Sequence, residues 1–272
     1  MPDNLSDPPT GHFALPGHRV LALEGRDAVK FAQAQFMSDV AALADGHWQW
    51  SGWLTPKGRV VALFALLRLD AERVWLLLPD VDPAALAAQL QRFVFRSKVA
   101  LAVPAGVQVT GAFQAPAKAR GSALAGDADT GFELDHGGDG GARTVRIERD
   151  GDRTDDAAVA RWRAADLAHG LPRLDAAQAE QWTPQMLSLE RLQAFSVKKG
   201  CYPGQEIVAR THFLGRQKRE LVLLVGDAPF AAGMDDIVSV AAAGGRHFAL
   251  AVRALDREPD AREQPLLGGL AR

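Results

Sequence analysis

The segment Lys198-Lys199-Gly200-Cys201-Tyr202-Pro203-Gly204-Gln205-Glu206 holds the one cysteine of the 272-residue chain. Gly200 permits a tight turn, Pro203 suits the first turn of a helix, and Gln205 to His212 can continue as that helix. Cys201 then stands just ahead of a helix N-terminus, where unpaired N–H groups and the helix dipole favour an anion. Lys198 and Lys199 add positive charge beside it. Both features favour a thiolate, so the pattern points to a reactive or metal-capable sulfur on a loop. A cysteine packed as a small apolar residue is the competing reading. One thiolate cannot hold a metal cluster alone, so cluster ligation would need a partner or small thiols.

The surrounding charge is uneven. From Glu190 to Arg219, seven cations (Arg191, Lys198, Lys199, Arg210, Arg216, Lys218, Arg219) face two anions, Glu190 and Glu206, in a chain of net charge −2. A solvated basic face and a site for a ligand with several carboxylates both account for this. Nucleic acid fits less well, because aromatics do not interleave with these basic residues. Aromatic usage is the second signal, with six Trp against one Tyr. Trp48, Trp50 and Trp53 share one predicted strand beside Lys57 and Arg59, and Trp162 and Trp182 lie further on. Tryptophan is ordinarily core, yet a flat heteroaromatic ligand needs such faces. The seven histidines form no H-x-x-x-H pair, and no G-x-S-x-G elbow exists, which argues against a zinc protease and an α/β-hydrolase. His212 is a poor base for Cys201, being more than a helical turn away along the same predicted helix.

The elements that must position these residues are mixed. Val20–Leu23, Trp48–Leu54, Val60–Leu69 and Val74–Leu78 read as strands, with Thr55-Pro56-Lys57-Gly58 as a turn. Helices are predicted after Asp27, from Asp82-Pro83 to about Phe93, and from about Ala157 to His169 with Asp156 as the cap. The Gly-rich stretch Ala115–Ala142 reads as a loop or degenerate hairpin, and its glycines fit no dinucleotide fingerprint. Three further strands, Leu221–Val225, Ile237–Ala241 and Phe248–Val252, suggest a small all-β end piece. Helices and strands without a βαβ rhythm make the fold class α+β. The expected division is a frayed segment 1–18, a first subdomain 19–114, a second 115–218, the β piece 219–255 and a polar tail 256–272. Composition is that of a globular chain, 47% hydrophobic and 24% charged. No leader pattern and no 18-residue apolar run are present, so the expected location is the cytoplasm, away from membranes.

Lys199-Gly200-Cys201-Tyr202-x-Gly204-Gln205-Glu206 resembles the K-G-C-[FY]-x-G-Q-E signature of the YgfZ-type folate-binding proteins, which are linked to iron–sulfur cluster assembly and repair and to tRNA modification. Thr183-Pro184-Gln185-Met186-Leu187-x-Leu189-Glu190, Val208-Ala209-Arg210 and Gly215-Arg216-x-Lys218-Arg219 are similar to the flanking blocks, and Gly25, Phe31, Gln33, Gln35, Asp39-Val40 and Pro56-Lys57-Gly58-Arg59 to the family's opening. The resemblance implies a fold like the glycine-cleavage aminomethyltransferase: a ring of subdomains around a central folate channel, ending in a small β-barrel. It implies tetrahydrofolate or a derivative as cofactor, and iron–sulfur proteins or their assembly factors as partners. Trp162 falls where the family places an aromatic against the folate, whereas a second such position is His18 here. Trp50 and its neighbours are further stacking candidates, Lys57, Arg59 and Arg210 suit the glutamate tail, and Tyr202 belongs to the motif itself. Gln205 would orient ligand or cysteine, Glu206 would cap its own helix, and Lys199 would activate Cys201. Cys201 would hold a one-carbon adduct, exchange with a partner's thiol, or lend one ligand to a transient cluster. A folate-dependent one-carbon transferase is the alternative; it needs a proton-managing carboxylate, for which Glu190 and Asp39 are candidates, and no G-Y-T-G motif of the transferase occurs between Ala100 and Arg153.

Overall fold

Runs of Val, Leu and Trp assemble into three antiparallel sheets in a computed structural model that describes residues 11–149, 154–215, 217–231 and 236–271. The segment 1–10 and Arg216 lie outside the described residues. The first sheet has the order β3 (His47–Leu54), β4 (Val60–Arg68), β5 (Arg73–Leu78), β2 (Arg19–Glu24), β6 (Ala100–Ala102). Both faces are covered, which explains the unbroken apolar run of β4. One face packs Leu21, Leu23, Phe64, Leu66 and Leu76 against Phe31 and Ala32 of α1 (Ala28–Gln35) and Leu86 and Leu90 of α2 (Pro83–Leu90). The other carries Trp48, Trp50, Ala65, Leu67 and Leu77 into the central core. Asp82 caps α2 as its sequence predicts, accepting from Ala84 N at 3.3 Å and Ala85 N at 3.2 Å. Asp27 makes no such cap; its carboxylate accepts from Lys98 N at 2.7 Å and ties α1 to the start of β6.

The second sheet runs β1 (Phe13–Ala14), β7 (Gln108–Ala112), β10 (Thr144–Glu148), β9 (Gly131–Asp135), β8 (Ala125–Asp127). The Gly-rich stretch thus holds a short hairpin, β8–β9, and the sheet joins strands from both sides of residue 115. Helix α3 (Asp156–Ala168) follows; its cap is Asp155, one residue before the predicted position, which accepts from Ala158 N at 2.9 Å.

The expected β-barrel is not formed. The third sheet is open, in the order β12 (Ile237–Ala243), β13 (Arg246–Ala254), β11 (Arg219–Gly226), β14 (Glu263–Gln264), with β12 and β14 as its unjoined edges. Four strands, one of only two residues, are too few to curl through a full turn. The sheet instead buries one face, Leu221, Leu223, Val238, Leu250 and Val252, in the central core. That core is continuous across all three sheets and α3.

Residues after 256 do more than form a polar tail. Glu263 and Gln264 pair with β11, Leu267 N bonds Ala168 O at 2.9 Å, and the Trp50 indole donates to Leu270 O at 2.7 Å. Leu270 is 2% exposed, so the chain end is a strap over the first sheet and α3. We predict that Leu270→Ala costs about 2–4 kcal/mol in urea unfolding and shifts tryptophan emission to the red as Trp50 meets water. An unchanged midpoint and spectrum would show that the strap carries no load.

Candidate functional site

Two assemblies gather the residues singled out in the sequence. The first is the cysteine loop. Lys199 is 6% exposed, and its ammonium donates to the carbonyls of Gln33 (2.6 Å), Ser38 (2.9 Å) and Phe36. Gln33 lies in the last turn of α1 and Phe36 and Ser38 just past its end, where carbonyls lack helical partners and the helix dipole favours a cation. All three ammonium protons are therefore committed away from Cys201. Burial pulls Lys199 down to about 8, with Asp39 acting against it, so it remains a cation at neutral pH. The ammonium also lies 4.9 Å from the Tyr202 ring centroid. Tyr202 is buried, its phenol pushed up to about 12 by that burial, and it donates to Ser196 O at 3.1 Å. Gln205 donates to Lys199 O at 3.0 Å. Lys199, Tyr202 and Gln205 thus point inward as anchors, while Gly200 and Cys201 form an exposed tip just before α4 (Gln205–Phe213).

The motifs near the N-terminus build the other half of this assembly. The Gln33 side chain accepts from Val40 N (2.7 Å) and Ala41 N (3.1 Å) and donates to Asp39 (3.0 Å), fixing the loop whose carbonyls receive Lys199. Asp39 is spent on that loop. Gly58, in the turn between β3 and β4, meets α4 directly: a Cβ there would lie 2.9 Å from the Ile207 Cβ. A Cβ on Gly204, whose φ is +79°, would lie 2.6 Å from Thr55 O and 2.7 Å from the Gly58 Cα. The two glycines let the turn and the loop touch backbone to backbone. Lys57 is exposed on that turn, whereas Arg59 donates to Gln181 O at 2.7 Å. Glu206 and Arg210 pair with each other at 2.7 Å on the outer face of α4. Glu190 stands near His212 at the other end of α4, its carboxyl raised above the usual range by desolvation, with His212 opposing. It lies in a 3₁₀ turn, Leu189–Leu192, flanked by Ser188 and Gln193, both in the left-handed region at φ 49° and 54°.

The second assembly is central and buried. Asp166, fully buried on α3, accepts from Arg143 at 2.7 Å and Arg173 at 3.3 Å, and lies 3.6 Å from the His136 ring nitrogen. Burial works to raise the Asp166 carboxyl, but Arg143, the nearby His136 imidazole and Arg173 outweigh it and hold the group well below the usual carboxylate range. The His136 imidazole lies between two indoles. Its centroid is 6.2 Å from Trp48 at 12° and 5.4 Å from Trp162 at 22°. Arg143 lies 4.9 Å over the Trp162 ring. Trp162 is 1% exposed, and its indole N–H, like Nε and Nη2 of Arg143, is buried with no hydrogen-bond acceptor among the described residues. Trp50 closes one side, edge-on to His136 at 5.5 Å. His18 stands against the same charges; burial and then Arg173 bring it down to about 3.

The structure therefore brings Trp162, Trp50 and His18 into one assembly and Cys201, Lys199, Tyr202, Gln205, Lys57, Glu206 and Arg210 into the other. His136, Arg143, Asp166 and Arg173 escaped the sequence reading. A usable signal existed for Asp166, which follows Trp162 by four residues and so shares its helix face.

No family model matches the chain. It is 30% identical over 213 residues to an uncharacterized protein of Haemophilus influenzae, covering 78% of this chain and 72% of that protein. It is 28% identical over 248 residues to the tRNA-modifying protein YgfZ of Klebsiella pneumoniae, covering 84% and 75%. In fold it is similar to the glycine cleavage system aminomethyltransferase T of Bartonella henselae, with a TM-score of 0.67 at 16% identity over 90% of this chain and 78% of the other. No helix among the described residues is long and apolar enough to cross a membrane.

Two predictions follow from these contacts. Lys199→Met leaves three carbonyls without their donor and should cost at least about 2 kcal/mol, whereas Cys201→Ala, at an exposed tip, should change stability by less than about 0.5 kcal/mol. Urea denaturation of both variants checks this; equal effects would contradict the division into anchor and tip. The unfolded chain protonates His18 near its ordinary value of about 6.5, but the folded chain does not until about 3. Folded stability should therefore fall as pH drops below about 6.5, and His18→Gln should flatten that fall. Thermal midpoints across this window test the sign.

Proposed function

We propose that this chain, which belongs to the YgfZ-related family of aminomethyltransferase-like fold, binds tetrahydrofolate or a derivative and uses Cys201 in support of iron–sulfur cluster assembly or repair. The observation that carries the reading is the ring stack Trp48–His136–Trp162 with its unpaired donors. The His136 imidazole stacks with both indoles, and buried N–H groups of Trp162 and Arg143, both in contact with this stack, lack acceptors among the described residues. A pteridine is flat, heteroaromatic and rich in acceptors, so the residues fit the group. Trp48, Trp162 and Arg143 would hold it, and His136, which fills the interval, would have to give way. The bound folate would supply a carrier for one-carbon units. Lys57, exposed on the turn that touches the cysteine loop, is the candidate for an anionic glutamate tail, since Arg59 and Arg210 already have partners.

Cys201 acts here as a presented nucleophile or single ligand. Its loop is held by Lys199, Tyr202 and Gln205, so the sulfur is displayed at a fixed place at little ordering cost when a partner arrives. Thiol exchange with a partner, or one coordination bond to a cluster completed by other thiols, are the steps such a sulfur supports.

The alternative of a folate-dependent one-carbon transferase would use Glu190, an accessible carboxyl near His212, to move a proton. Tryptophan fluorescence and turnover separate the readings. Tetrahydrofolate should quench the emission, His136→Ala should bind it more tightly, and Cys201→Ala should bind it unchanged while failing to sustain iron–sulfur enzymes in cells. Lack of quenching at micromolar ligand contradicts folate binding. Methylene-tetrahydrofolate formed from a methylamine donor, and lost in Glu190→Gln, would favour the transferase.

A further inference from the structure

The segment Gln91-Arg92-Phe93-Val94-Phe95-Arg96-Ser97-Lys98, between α2 and β6, satisfies the pattern that the stretch around Cys201 lacks: aromatic and basic residues alternate along it. Its side chains face outward. Phe95 is 88% exposed and Phe93 47%, and Arg92, Arg96 and Lys98 are exposed as well. The backbone beneath is fixed. Lys98 N donates to Asp27, Asp27 N donates to Lys98 O at 3.2 Å, and Phe93 sets its ring edge-on to the buried Trp53 at 6.0 Å. Arg26, exposed just ahead of α1, is the chain neighbour of the Asp27 that holds Lys98.

The charge is not neutralised locally. No carboxylate occurs in the sequence between Asp82 and Asp127. No ion pair among the described residues involves Arg26, Arg92, Arg96 or Lys98. The Arg96 guanidinium lies over the Phe95 ring at 5.3 Å, which holds that ring beside a positive charge. In a chain of net charge −2, this is a local cationic platform, not part of a general basic field.

We propose that Phe93 and Phe95 with Arg26, Arg92, Arg96 and Lys98 form a docking surface for single-stranded nucleic acid. Unpaired bases stack on the exposed rings, and the cations neutralise neighbouring phosphates. A base-paired duplex hides its base faces and cannot use the rings. An acidic polypeptide uses only the charges. A membrane surface calls for a wider apolar face than two rings with half-buried Val94 between them. The proposal is independent of folate binding and of Cys201.

The test is fluorescence anisotropy with a labelled oligouridine of about 12 nucleotides at about 50 mM salt. The full chain should bind, with log K falling linearly against log salt. Phe95→Ala should weaken binding by about tenfold or more, because a stacking platform is lost. Arg96→Gln should make the salt slope shallower by about 0.7. Both residues are exposed, so unchanged circular dichroism and thermal midpoints should accompany these losses. Any of four results overturns the proposal: no binding at low salt, full binding by Phe95→Ala, equal binding of polyglutamate or of a duplex of the same length, or recruitment to phosphatidylserine vesicles in place of the oligonucleotide.

Discussion

The ammonium of Lys199 set among the carbonyls at the end of α1 is the contact on which the cysteine loop depends. A helix end leaves carbonyls unpaired, and a buried carbonyl without a donor is costly. Lys199 meets that need from the far side of the sequence and thereby fixes its own loop. Residues that read as two separate motifs become one structure: Gln33 and Asp39 shape the receiving loop, Met37 O accepts Ser196 N at 2.8 Å, and Gly58 abuts Gly204. The outcome is a cysteine held outward by residues that all point inward. An adjacent lysine that appeared to serve the sulfur electrostatically serves it by position instead.

The central assembly follows a different rule. A buried carboxylate is tolerable when cations and hydrogen bonds surround it, and Asp166 has two guanidiniums and a nearby imidazole. Arg173 extends the network to Asp80 at 2.8 Å and to Pro79 O, so α3, the first sheet and the segment after α3 share one set of charges. Tryptophan faces beside this network give it an aromatic wall. Fully paired on the Asp166 side and short of acceptors at Trp162 and Arg143, the assembly is asymmetric in the way a polar ligand with acceptors would complete.

Local features were legible in the sequence because their causes are local. Alternation marked β3, Asp82-Pro83 marked α2, and Gln205 to His212 marked α4, although Pro203 stands just ahead of its first turn. The features that were not legible depend on partners distant in the chain. Only the fold shows that Lys199 reaches residues 33 to 38, or that Leu270 meets Trp50. His136 sat in a Gly-rich stretch read as a loop or degenerate hairpin, in which β8 and β9 form, and Arg143 follows just after it, ahead of β10. The barrel was expected from three strands and a resemblance. The sheet stays open because its inner face finds cover on α3 and the central core and has no need to curl onto itself. The charges that surround Trp162 and His18 were not foreseen.

A crystal structure of the chain with tetrahydrofolate tests the central claim most directly. The account predicts pteridine density between the Trp48 and Trp162 rings, within hydrogen-bond reach of the Trp162 N–H and the Arg143 guanidinium, with His136 moved out. Folate bound elsewhere while the imidazole stays between the two indoles would contradict it.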